Sequence, residues 1–142
     1  MKKLITMLAA ASLLQCLTIA RAGAETVVIV NAGNPVNSLT PDQVEKLFLG
    51  KTSAFPGGAS AIPIDPPKGP ERDAFYLKTT GKQPSQLKAY WSKQIFTGAG
   101  QPPKEAESAQ ELVSLVGKNP SLIGFVDKSQ VNSSVKVVYT LP

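Results

Sequence analysis

LTPDQVEKLFLGKTSAFPGGASAIPIDPPKGPERDAF, residues 39–75, reads in unbroken order as a capped helix, a glycine stop, a turn, a strand and the start of a second helix. Thr40 is placed to cap the first helix, Pro41 suits its first position, and Gln43 completes a capping box by reaching back to the Thr40 amide. Gly50 ends that helix and Phe55-Pro56-Gly57-Gly58 forms a turn. Ala61 to Ile64 then reads as a short strand, and Asp65 to Arg72 leads into a helix that begins near Pro70. That helix carries Phe75, Tyr76 and Thr79 through Thr80 and stops at Gly81.

Upstream, Thr26-Val27-Val28-Ile29-Val30 is a continuous β-branched run, the pattern of a strand buried on both faces, and we expect it to be the central strand of an α/β sheet. Asn31 to Ser38 follows at its C-terminal end, where open α/β sheets place ligands. Asn31, Asn34 and Ser38 are therefore candidate ligand-binding groups. The competing reading is that these side chains satisfy their own backbone through Asx-type turns.

Downstream, Pro84 to Phe96 is a helix with Leu87, Tyr90, Trp91 and Ile95 on one stripe, expected to pack into the core. Gly98 to Pro103 has too much Gly and Pro for regular structure and reads as an exposed loop or hinge, a possible partner contact. Ser108 and Glu111 form a second capping box, opening a helix that ends at Lys118-Asn119-Pro120. Leu122 to Val126 and Val135 to Tyr139 are closing strands, joined by a polar turn or short helix around Asp127 to Gln130. The expected order is β-α-β-α-α-α-β-β: one α/β domain with a mixed sheet flanked by helices.

Four phrases together carry a resemblance. They are Leu47-Phe48-Leu49-Gly50-Lys51, Phe55-Pro56-Gly57-Gly58, Ile62-Pro63-Ile64 and Asn119-Pro120-Ser121-Leu122-Ile123-Gly124-Phe125-Val126. In this order and spacing the chain resembles the periplasmic substrate-binding proteins of phosphate-type ABC transporters, the PstS-like type II binding fold. The resemblance implies one lobe of such a protein, a small oxyanion such as phosphate as ligand, and an ABC permease or another periplasmic protein as partner. It also implies that the loop before the second helix holds the anion, which makes Lys68, Gly69 and Arg72 candidate ligand-binding residues.

The family's loop reads Arg-Ser-Asp-Gly-Ser-Gly-Thr, and here Asp65 stands at the arginine while Gly69 and Glu71 stand at the second serine and the threonine. A buried oxyanion needs converging donors and a compensating cation, and a carboxylate repels it. Lys68, Arg72 and the dipole of the helix starting near Pro70 could supply the missing attraction. Against that, Pro70 removes one amide, and Arg72 could pair loosely with Glu71 or Asp73 on a solvated helix face. Two functions follow: a solute-binding-like protein taking phosphate or another small oxyanion for a transporter or sensor, or a non-catalytic interaction domain that kept the fold and lost the pocket.

Residues 1–24 read as a cleavable secretory signal: Met1-Lys2-Lys3, an apolar run from Leu4 to Ala20, and Ala22-Gly23-Ala24 as the cleavage site. This places residues 25–142 in the periplasm as a single domain. Cys16 follows Gln15 rather than a small residue, so it reads as apolar filler and not as a lipidation site. Without the leader the chain has no cysteine, and its twelve Lys and Arg face ten Asp and Glu, a net charge of +2 instead of +5. The lysines are scattered, which excludes a nucleic-acid footprint.

With no histidine, no nucleophile elbow and no metal-ligand spacing, the sequence gives catalysis, metals and cofactors nothing to stand on. Asp65 and Glu71 are too loosely related across a Pro-rich loop to form an acid/base pair. The remaining 118 residues suffice for one lobe, so the domain is expected to bind ligand on an open edge, to complete a cleft as a homodimer, or to have given up solute capture.

Overall fold

A computed structural model describes residues 25–142; the expected signal segment and Cys16 lie outside the described residues. The elements are β1 (Thr26–Asn31), α1 (Pro41–Phe48), β2 (Ile62–Asp65), α2 (Pro70–Thr80), α3 (Pro84–Phe96), β3 (Lys104–Glu105), α4 (Ala109–Lys118), β4 (Leu122–Asp127) and β5 (Val135–Thr140). A 3-10 turn at Lys128–Gln130 links the last two strands. The sheet order is β3-β2-β4-β1-β5.

Helices α1 and α4 start where their caps dictate. Thr40 Oγ1 accepts the Gln43 amide at 3.2 Å while Gln43 Oε1 accepts the Thr40 amide at 2.9 Å, closing the capping box of α1. Ser108 Oγ accepts the Glu111 amide at 3.0 Å at the start of α4. Gly50, at φ +68°, takes the left-handed turn that releases the chain from α1.

Alternation along β1 sends its side chains into two cores. Val28 and Val30 join α1, α2 and α3 through Phe48, Phe75, Tyr76 and Trp91. Val27 and Ile29 join α4 through Leu112, Val113 and Val116. The first core centres on Phe75 and Phe125, stacked at 3.7 Å between ring centroids, with the Phe48 ring edge-on to both. Gly124 lets the second core close: a Cβ there would lie 2.7 Å from Leu112 Cδ2 and 3.2 Å from the Ile64 carbonyl oxygen. The result is a mixed α/β sheet with helices on both faces, as the sequence suggests.

Three expectations are corrected. The central strand is β4, and β1 lies between β4 and β5, antiparallel to both. A continuous apolar run marks burial on both faces but carries no information about direction. Second, β3 adds a two-residue strand beside Ile64 and Asp65 in what reads as a plain loop. Third, the α3 stripe buries Leu87 and Trp91 but leaves Ile95 54% exposed, because the last turn of α3 runs past the core.

The direction of β1 decides where everything else sits. Val30 pairs with Ile123 and Thr26 with Asp127, while Pro63 pairs in parallel with Ile123. The C-terminal end of β1 is thus level with the N-terminal ends of β2 and β4. The loop after β1 and the loop after β2 emerge at opposite ends of the sheet.

Candidate functional site

At the first end, the Asn31 side-chain amide donates to the carbonyls of Val116 and Gly117, both at 3.0 Å, and its Oδ1 accepts the Gly33 amide at 2.8 Å. It therefore closes the C-terminus of α4. Asn34 is buried; its Oδ1 accepts the Val36 amide at 2.8 Å and its Nδ2 donates to the Pro120 carbonyl at 3.2 Å. Lys136 Nζ donates to the Asn34 carbonyl and, at 2.9 Å, to Asn37 Oδ1. Ser38 is exposed on the same loop. The two asparagines hold backbone, in the Asx-type arrangement that competes with ligand binding.

The other end carries the charge. Asp65, at the end of β2, is fully buried; it accepts the Tyr76 hydroxyl at 2.6 Å and pairs with Arg72 Nη2 at 3.2 Å. Arg72 Nη1 reaches Glu105 Oε2 on β3 at 3.4 Å, and the guanidinium carbon lies 5.9 Å from the Tyr76 ring centroid. Glu105 Oε1 also accepts the Lys68 amide at 3.3 Å. Arg72 and Tyr76, four residues apart on α2, present one face of the helix to Asp65.

Burial pushes the Asp65 carboxyl up to about 6, against the opposing pull of the Tyr76 hydrogen bond and the Arg72 charge. Tyr76 is raised well above the usual phenol range, chiefly by burial and then by the Asp65 charge, so it stays a neutral donor. Asp65 Oδ2 has no hydrogen bond of its own despite the nearby guanidinium.

The six sequence candidates therefore fall into two groups. Asn31, Asn34 and Ser38 share one end of the sheet; Lys68, Gly69 and Arg72 share the other. Arg72 pairs with Asp65 and Glu105, not with Glu71 or Asp73 as the solvated-face reading has it. Gly69 precedes α2 with no side-chain cap, and Lys68 is exposed. The hollow beside the first turn of α2 is lined by Glu25, Glu71 and Asp127 against Lys78 alone, a surface that repels anions. Sequence reasoning missed Tyr76 and Glu105 as members of the cluster. The spacing of Arg72 and Tyr76 behind a strand-end aspartate was the available signal for Tyr76, whereas nothing local announces Glu105. Among the described residues no group of three or more His, Cys, Asp or Glu could hold a metal ion.

No family model and no curated protein matches the chain. Solved structures do. A Clostridium perfringens protein assigned as a phosphate ABC transporter substrate-binding protein, with bound phosphate, is 25% identical with a TM-score of 0.64 over 80% of this chain and 44% of its own. An ABC-type phosphate transport receptor from Vibrio cholerae is 17% identical, TM-score 0.53, over 80% of this chain and 45% of its own. PstS from Borrelia burgdorferi is 12% identical, TM-score 0.60, over 80% and 46%. The chain spans less than half the length of each. Its mixed five-stranded sheet and four helices are PstS-like, with the fold of one lobe of the phosphate-type periplasmic substrate-binding proteins.

Proposed function

We propose that residues 25–142 form a single non-catalytic interaction domain of the periplasm, one that keeps the PstS-like lobe and lacks a phosphate pocket. The observation behind this is the state of Arg72. It is the only arginine after residue 21, and two carboxylates of the chain itself already neutralise it. A guanidinium so placed has little attraction left for an external oxyanion, and the two acids beside it add repulsion. The asparagines expected to complete a pocket lie at the far end of the sheet, engaged with backbone. The secretory reading of residues 1–24 supports the compartment.

One observation favours anion capture instead. Gly69 offers the start of α2 no side-chain acceptor, so first-turn amides remain available, and the Clostridium protein of like fold holds phosphate. Titration calorimetry with phosphate and sulfate separates the two readings. The proposal expects no saturable heat at millimolar anion; one-to-one binding that is lost in Arg72→Met would restore the solute-binding reading, with an ABC permease as the natural partner.

A further inference from the structure

One edge of the sheet is bare for half the length of β2. β3 pairs only with Ile64 and Asp65, so no described strand extends the sheet beside Ile62 and Pro63. A groove of about 540 Å³ wraps this edge. Trp91 of α3 borders it from the core on one face of the sheet, and Leu115 of α4 borders it from the core on the other. That volume lies within the range of small-ligand sites.

Strand register shows what the groove presents on the α4 side. Ile62 pairs with Leu122 and Ile64 with Lys104, and residues paired across strands, like residues two apart along one strand, share a face. Ile62, Ile64, Leu122 and Lys104 therefore form one patch, and all four line the groove. Lys104 is the only ionisable residue in that lining. It is exposed and forms no ion pair among the described residues.

The opposite wall is fixed in advance. A Cβ at Gly50 would lie 3.4 Å from Trp91 Cη2, so the indole packs on the glycine that ends α1. Beside it, the Tyr90 hydroxyl donates to the Leu49 carbonyl at 2.6 Å and holds α3 against the same turn. Pro63, Pro102 and Pro103, all in the lining, are stiffened by their rings. Walls that need no ordering leave more of the contact energy for a ligand.

This lining selects its occupant. The three prolines supply no N–H, and the Ile62 amide is taken by the Ser121 carbonyl at 2.7 Å, so a polypeptide backbone laid along this edge finds few donors. A multiply charged anion such as phosphate would lose its water against apolar walls and meet a single lysine. A cation would meet Lys104 with no carboxylate in the lining to offset it. An apolar body bearing one negative charge satisfies all three conditions.

We propose that this groove binds a small apolar monocarboxylate, with its body between Trp91 and the Ile62, Leu115 and Leu122 side chains and its carboxylate on Lys104. The site uses none of Asp65, Arg72, Tyr76 or Glu105, and goes beyond the interaction-domain reading.

Trp91 is the only tryptophan in the chain, so its fluorescence reports directly on the groove wall. The probes are octanoate, phenylbutyrate and cyclohexylacetate, each titrated into the purified protein at neutral pH, with the amide of each acid as its uncharged control. At least one acid should shift the Trp91 emission saturably. Its binding should weaken about tenfold as the amide or in Lys104→Met, because each change removes a charge-assisted hydrogen bond. Ile62→Ser should weaken acid and amide alike, and circular dichroism matching the wild type shows that both variants fold. No saturable shift with any of the three acids, equal binding of acid and amide, or unchanged affinity in Lys104→Met overturns the proposal. So does a shift produced by phosphatidylglycerol vesicles and by none of the acids, which would make the groove a lipid contact. Phosphate binding lost in Arg72→Met would sink the preceding reading and leave this site standing, whereas silence from all three acids would do the reverse.

Discussion

The two ends of the sheet hold comparable numbers of polar side chains and use them in opposite ways. At one end Asn31 and Asn34 bind carbonyls and amides, tying the loop after β1 to the C-terminus of α4 and the entry to β4. At the other, Asp65, Arg72 and Glu105 bind one another. The first set replaces secondary structure where the backbone is irregular. The second closes a charge cluster on itself at the strand end where an α/β fold ordinarily meets its ligand. A polar residue near a sheet end is thus no guide to function until the partner of its side chain is known.

The largest expected effect comes from breaking the charged end. Arg72→Met leaves Asp65 buried without its cation and should destabilise by about 3 kcal/mol or more, read by urea denaturation at neutral pH. The double variant Asp65→Leu, Arg72→Met should recover most of that loss, because an apolar pair needs no compensation. Equal losses in single and double variants would mean that the cluster does not act as a unit.

A pH comparison sharpens the same point. The Asp65 carboxyl is held near 6 in the folded protein against an ordinary value of 3.8, so the folded state binds more protons than the unfolded state between those values. Its contribution to stability is fully present below about pH 4 and is lost as pH rises through 6. The total is about 3 kcal/mol, because each tenfold difference in proton affinity between the two states is worth about 1.36 kcal/mol. The stability difference between wild type and Asp65→Asn should change by an amount of that order between pH 4 and 7. A flat difference would place Asp65 in a wetter site than its burial indicates.

The opposite end should respond without any pH signature. Asn34→Ala leaves the Val36 amide and Pro120 carbonyl unmatched and should cost about 1 to 2 kcal/mol by denaturation, equally at pH 5 and pH 8. The smallest effect is expected for Glu105→Gln, whose partly exposed pairing contributes under about 1 kcal/mol. This variant is diagnostic all the same, since it halves the carboxylate load on Arg72 and should be the first to gain any affinity for phosphate.

Local signals carry far along this chain and then stop. Thr40, Gln43 and Ser108 announce helix starts because a cap acts within one turn, and Phe75, Tyr76 and Trp91 announce core because helical spacing is intrinsic to the segment. The direction of β1 depends on pairing with residues about a hundred positions away, and a reading that misses it puts the asparagine loop at the wrong end of the sheet. β3 and Glu105 are illegible for the same reason, being defined only by their contact with β2 and α2. Ile95 follows the helical stripe correctly, but no sequence pattern shows that the core ends before the helix does.

Arg72 offers the most direct test of whether the lobe has lost its anion pocket, because it is the only arginine after residue 21 and gives a single guanidinium signal once the leader is removed. Its side-chain nitrogen resonances can be followed by NMR as phosphate is added to millimolar concentration at neutral pH. A lobe without the pocket should give one sharp, slowly exchanging signal that phosphate does not move. A saturable movement of that signal would mean that the guanidinium lets go of Asp65 and Glu105 for an outside anion, and would contradict the loss of the pocket.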